Sequence, residues 1–435
     1  MKISKLFLYL IFLLLFTSCM HNSKENDVSN PVTVNELQYP ELEITKLPTV
    51  IINTNGVEIV DRENWIRGGI SIENSGDYDF NSVDCKIRGR GNTTWTNAPK
   101  KPYAIKLEKK QSILGMPAHK RWVLIANYLD NSFIKNSIAF YLSEYFGLEY
   151  TVRGDFINLV LNGEYVGLYW LGEAVNIDKN RVNINEDEDF LLEIDSHFDE
   201  DWKFKSALKN LPYAIKNDDA MTEEKLEIIK TKINDLESYL LSDYFPYKTA
   251  SNTMIDESYR DRIDIDSFAK YYLVQEIMCN LDYFLDLENN MYCSVYITLD
   301  NDGLLKAGPV WDFDASFLSY VNKNVLNCTK SIYNQALFKI PEFNKKLSSL
   351  MKDSDKLLTS CVNRIDELYD KIKIAQELDA EIWNDETLGE DINFHQDRSG
   401  LYAAYGYIEF SDYVNFVKTW LESRIELVAL AYSNE

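Results

Sequence analysis

The sequence predicts an α+β protein of two lobes, a β-rich first lobe over residues 46–175 and a mostly helical second lobe over residues 176–435. Three observations predict it. Short β-branched and aromatic runs, punctuated by Asn-Gly and Gly-Gly, crowd the first part; apolar residues at helical spacing dominate the second. Between residues 263 and 317 a helix, a carboxylate-bearing loop, a tight hairpin and a second carboxylate cluster follow one another. At 435 residues the chain is long enough for two lobes with a substantial shared core.

The N-terminal segment precedes this core. Lys2 and Lys5 open an almost wholly apolar run over residues 6–16, which ends at Thr17-Ser18-Cys19. This is the pattern of an export signal over residues 1–18, too short to remain as a membrane span. Small residues before a cysteine resemble a bacterial lipobox, so Cys19 is expected to carry lipid and tie the chain to the membrane; plain secretion is the alternative. Polar residues 19–45 then read as a flexible tether. The fold is expected outside the cytoplasm, in the cell envelope, on the periplasmic side or at the surface. Five further cysteines, Cys85, Cys279, Cys293, Cys328 and Cys361, are an odd and scattered set, core residues more than a disulfide framework. The four histidines lie too far apart for a zinc site. A formal charge of −24 argues against nucleic acid as a partner and weakly favours a basic one.

Along the first lobe, hairpins are expected over residues 47–73, followed by a strand at 83–87 that runs into Arg88-Gly89-Arg90-Gly91. Paired glycines let the backbone approach a ligand, and two arginines offer planar donors to phosphate oxygens; a tight turn with solvated arginines is the competing reading. Alternation over 103–107 puts Tyr103, Ile105 and Leu107 on one face of a strand and Lys106 on the other. An Ala-Ile-Lys strand is where a kinase holds the nucleotide phosphates with lysine. A strand at 122–126 precedes a helix over 131–146, on whose apolar border Glu144 could pair with Lys106 or simply face solvent. Runs at 156–161 and 165–171 flank Asn162-Gly163 as a hairpin and lead to a connector at Glu173.

In the second lobe a strand at 190–195 and a helix at 223–241 come before the central stretch. There the spacing predicts a helix from Phe268, capped by Asp266 or Ser267, that delivers Asp282. The run 291–298 turns at Asp300-Asn301-Asp302-Gly303 and returns to Trp311-Asp312-Phe313-Asp314. Asp282 with Asn289 and Asn290 enters one end of this ribbon and Asp312 with Asp314 leaves at the same end, so acids about 30 residues apart can converge. Convergent oxygens suit Mg²⁺, although carboxylates in loops are commonly just solvated or cap turns. Protein kinases set a catalytic Asp, a metal-binding Asn and a second metal-binding Asp on a similar scheme. Helical regions at 332–378 and 411–432 complete the chain.

IRGRGNTTW (87–95), KKPYAIKL (100–107), WVLIANYLD (122–130), LNGEYVGLYWLGE (161–173), NLDYF with NNMY (280–284, 289–292) and GPVWDFD (308–314) occur in the order expected of the CotH kinase family. Members of this family are similar to spore coat protein H, an atypical protein kinase. The resemblance implies a two-lobed kinase-like fold that binds ATP with Mg²⁺ or Mn²⁺ and phosphorylates Ser or Thr of a protein. It implies Lys106 as the phosphate-holding lysine, Asp282 as the catalytic Asp, Asp312, Asp314, Asn289 and Asn290 around the metal, and Arg88 and Arg90 over the phosphates. Read as a kinase-like small lobe, the same order of elements would let Glu144 on the helix border pair with Lys106 and turn the backbone around residues 173–175, Glu173 among them, to the adenine. Two other readings stay open: a surface adhesion lipoprotein, which the 13% aromatic content allows, and a pseudokinase that binds nucleotide without transfer.

Overall fold

The computed structural model describes residues 37–217, 221–242, 245, 257–283, 293–318, 321–383 and 409–432. Seven strands of the first part close into a barrel: β1 (Thr49–Asn53), β2 (Ile66–Glu73), β3 (Phe80–Gly89), β4 (Tyr103–Ile113), β5 (Met116–Ile125), β6 (Gly154–Leu161) and β7 (Glu164–Glu173). Their order is β1-β2-β3-β4-β5-β7-β6. Every neighbouring pair is antiparallel except at the seam, where β1 runs parallel to β6 with Thr49 opposite Asn158. Alternation is the local cause of the strands: Ile105, Ile87, Leu124, Ile157 and Leu159 point inward and fill the barrel with Trp122 and Tyr169. A short helix α1 (Thr93–Asn97) joins β3 to β4, and α2 (Lys135–Phe146) joins β5 to β6.

The second part carries a five-stranded antiparallel sheet, β12-β11-β8-β10-β9. It is built from β8 (Phe190–Asp195), β9 (Lys203–Lys205), β10 (Pro212–Ile215), β11 (Ser294–Leu299) and β12 (Leu305–Ala307). Helices α3 (Glu223–Leu240), α4 (Ile265–Met278), α5 (Ile332–Leu337), α6 (Pro341–Met351), α7 (Ser354–Trp383) and α8 (Phe410–Tyr432) share one hydrophobic core with it. None of the described helices is long and apolar enough to cross a membrane.

This architecture corrects the expected two-lobed, kinase-like fold. The first part is a barrel closed on itself, and the second carries its own five-stranded sheet among its helices, which is not the two-lobed kinase arrangement. The physical reason is burial on two sides. The inner face of β6 and β7 gives Ile157 and Leu159 to the barrel. Their outer face gives Phe156, Leu168 and Trp170 to a larger core shared with α2, the second sheet and the C-terminal helices.

One buried ion pair fixes the barrel to α7. Lys100 donates to Asp379 Oδ1 at 2.5 Å and to the Leu168 carbonyl at 2.6 Å, and the Leu168 N–H donates to the same carboxylate oxygen at 2.7 Å. The lysine and aspartate side chains are only 1% and 5% exposed. Gly167, at φ +109, leaves room for that carboxylate, because a Cβ there would collide with Asp379 Oδ1. Asp379→Ala therefore strands a buried ammonium and should cost about 3–5 kcal/mol in urea unfolding, most of it recovered by adding Lys100→Met.

Candidate active site

Asp264 caps α4, its carboxylate accepting from Ser267 N at 2.6 Å, two residues before the Asp266 suggested by the sequence. The helix ends at Cys279, whose left-handed φ of 50 turns the chain into Asn280 and the 3₁₀ turn Leu281–Tyr283 that carries Asp282. The β11–β12 hairpin turns at Gly303, φ 97, and leads the chain back to Trp311-Asp312-Phe313-Asp314. Asp312 is itself left-handed at φ 62, a conformation that costs a non-glycine residue roughly 1–2 kcal/mol and that Asp tolerates better than most.

Two asparagines lock the acidic segments together. Asn280 Nδ2 donates to the Asp312 carbonyl at 3.1 Å, while Asn280 Oδ1 accepts from Asp282 N at 3.3 Å. Asn136, in the first turn of α2, accepts from Phe313 N at 2.9 Å. As a result, ligand oxygens of Asp282, Asp312 and Asp314 lie within 4.8 Å of one another. Burial holds the Asp312 carboxyl well above the ordinary carboxylate range, reinforced by the charges on Asp314 and Asp282 and opposed by Arg90.

These acids line a cleft of about 640 Å³ whose other side is the end of β3. Trp95 covers Gly89 so closely that a Cβ there would lie 2.5 Å from its ring, which accounts for the first glycine of the Arg-Gly-Arg-Gly run. Period-two alternation sends Arg88 and Arg90 to the same side. The Arg90 guanidinium stacks 5.4 Å from the Trp311 ring centre and Arg88 stacks 4.6 Å from that of Trp65. Two buried donors on this lining, Arg88 Nε and Asn127 Nδ2, have no acceptor among the described residues. Clustered carboxylate oxygens fit a hard divalent cation, and orphaned N–H groups on the same lining fit an anion.

A family model described as CotH kinase protein matches residues 87–428. The chain belongs to this family, and with it to the CotH-like kinases. No curated protein matches the chain. The span matched by the CotH model starts in β3 just before Arg88 and ends in α8, so it encloses both carboxylate segments; β1 and β2 precede it.

A third wall of the CotH cleft escaped the sequence reading. Glu193 and Asp195 on β8, with Lys216 just after β10, face the acids. Glu193 accepts from Ser294 Oγ at 2.5 Å and pairs with Lys216 Nζ at 2.8 Å. Asp195 accepts from His197 N at 2.9 Å; burial, then the charge on Glu193, raises its carboxyl to about 6. The available signal was FLLEID itself, because acids at alternate positions of an otherwise apolar strand must face a polar space or be paired.

Other expected site residues fall elsewhere. Lys106 sits on the same side of β4 as Ala104, which lines the cleft, but one step further along, between its strand partners Lys86 and Arg121, and is not part of the lining. The expected Lys106–Glu144 pair is not made: Glu144 is exposed on α2 and faces a different cavity of about 920 Å³. Glu173 is fully buried and held by Arg153, at 2.8 Å and 3.0 Å, and by Tyr150 at 3.0 Å. The neighbouring Ala174 carbonyl accepts from Arg181 at 2.8 Å, so this connector is engaged away from the acids. Asn289 and Asn290 lie outside the described residues.

Asp195 yields a pH test. With its folded value near 6 and an ordinary value near 4, the folded chain holds a proton that the unfolded chain has lost, so stability falls as pH rises through that window. Asp195→Asn should raise Tm at pH 7, by up to about 2 kcal/mol of stability, and leave it unchanged at pH 4. Thermal melts of both proteins at the two pH values check this.

Proposed function

We propose that this CotH family member is an ATP-dependent protein kinase that phosphorylates Ser or Thr of a protein outside the cytoplasm. The observation that carries this reading is the meeting of Asp282, Asp312 and Asp314 within 4.8 Å in a cleft opposite Arg88 and Arg90. Phosphoryl transfer needs little covalent help from the protein and much positioning and charge stabilisation, and this lining is built of fixed charges.

Asp312 and Asp314 would hold Mg²⁺ or Mn²⁺, with Asn289 and Asn290 as further ligands offered by the sequence. The ion, when bound, neutralises charge building on the phosphates. Arg88, Arg90 and the orphaned amide of Asn127 donate to phosphate oxygens. Asp282 orients the acceptor hydroxyl. That oxygen bonds to the γ-phosphorus as the bond to the bridging oxygen of ADP breaks, and the hydroxyl proton passes to Asp282. The leader at residues 1–18 and the lipobox-like Cys19 support a membrane-tethered, extracytoplasmic setting, and the charge of −24 supports a basic acceptor protein.

Asp312→Asn keeps the size and the left-handed tolerance of the residue while removing its charge. Incubation with labelled ATP, Mg²⁺ and envelope proteins of the source organism should show transfer reduced on the order of 100-fold or more, and the thermal shift produced by Mg²⁺ with ATP should vanish. Parental transfer by this variant would refute the assignment.

A further inference from the structure

We infer that Lys216, held by Glu193 on the second sheet, is the ammonium that takes the nucleotide phosphates in this cleft, in place of the strand lysine Lys106. The inference rests on the kinase reading above. Lys216 follows the last residue of β10, and its N–H donates to the Leu191 carbonyl of β8 at 2.8 Å, which fixes the start of its side chain. The side chain lines the cleft and is 19% exposed.

Its two partners differ in a way that matters. Glu193 is buried, anchored by Ser294 Oγ at 2.5 Å, and bonded to the ammonium at 2.8 Å. Glu200, the second partner, lies on the connection from β8 to β9 and is 44% exposed. An ammonium has three donors. Glu193 orients it permanently, while Glu200 is a solvent-facing anion whose place a phosphate oxygen can take. Burial alone would weaken the ammonium, but the charges on Glu193, Tyr296 and Glu200 keep it protonated above the ordinary lysine range.

Lys216 also shares the cleft lining with the acids. Tyr296 of β11 is partly buried and feels the charges on Glu193, Lys216 and Arg90, and Arg90 in turn feels Asp312, Glu193 and Asp314. Lys216, Arg90 and the three carboxylates thus line one cleft, which offers a polyphosphate its cationic donors and the accompanying cation its ligands. Kinases in general use a lysine steadied by a glutamate for this task. Among the described residues Lys106 has no such glutamate: its strand neighbours are Lys86 and Arg121, and it does not line the cleft.

The test is calorimetric titration of the full chain with ATP in Mn²⁺. Lys216→Met should weaken ATP binding about tenfold or more, as expected for loss of a charge-assisted contact, while Mn²⁺ alone still raises Tm as in the parent. Lys106→Met should bind within about twofold of the parent, and Glu200→Gln at least as tightly as the parent. Because Lys216→Met leaves Glu193 unpaired, the double variant with Glu193→Gln removes both charges and should show the same loss of ATP with a restored melt. Parent-like ATP affinity in Lys216→Met or in the double variant overturns the assignment of Lys216 and leaves the kinase reading standing. A parent that binds no ATP at all overturns both.

Discussion

Three carboxylates forced together in a partly desolvated cleft are the constraint around which this molecule is arranged. Were all three ionised, each like-charged pair at 4.8 Å would cost on the order of 3 kcal/mol at an effective dielectric of about 20, so the surrounding chain has to hold the cluster together. Asn280 compels it from one side by bonding both acidic segments, and Asn136 from the other by holding the backbone after Asp312. The left-handed turn at Asp312 is part of the same compulsion. Arg90 relieves some of the repulsion, and a divalent cation would relieve the rest.

The barrel's contribution is stiffness. Closure leaves no free strand edge, so the end of β3 presents Arg88 and Arg90 from a surface that cannot slide in register. Trp95 packed on Gly89 holds the turn that follows, and Arg62 binds the Gly91 carbonyl at 2.9 Å beyond it. The second sheet then places Glu193, Asp195 and Lys216 on an opposing rigid element. A reaction that depends mainly on position gains from donors and acceptors mounted on two braced sheets.

Much of this was legible in the sequence because it is encoded locally. The hairpin at Asn162-Gly163, the hairpin closing at Gly303, the helix after Asp264 and the strand FLLEID all announce themselves through turn chemistry or periodicity, and the order of the ribbon was enough to bring Asp282 toward Asp312. Barrel closure was not legible, since it depends on β1 pairing in parallel with β6 across more than a hundred residues, a contact with no local signature. Glu193, Asp195 and Lys216 were passed over for a related reason. Their meaning comes from strands β8, β10 and β11 lying side by side, and β11 reaches β8 from about a hundred residues downstream. Lys106 shows the converse: period-two alternation gives the face of a strand but not how far along it a cleft extends.

Two lysine–carboxylate pairs in the same chain show how the surroundings decide what such a pair is for. Lys100 and Asp379 are both sealed, their donors and acceptors completed by Leu168 backbone groups, with Phe133 and Tyr169 rings 5.1 Å and 4.7 Å from the ammonium. With side chains only 1% and 5% exposed, that pair serves to join barrel and helix. Lys216 and Glu193 have the same chemistry but open on one side to the cleft, and the third member of their group, Glu200, is half in solvent. Displacing an exposed carboxylate with a phosphate trades one anion for another at little desolvation cost, whereas inserting a ligand beside Lys100 would first require breaking the core. The same ion pair is a rivet where it is closed and a binding group where one partner can leave.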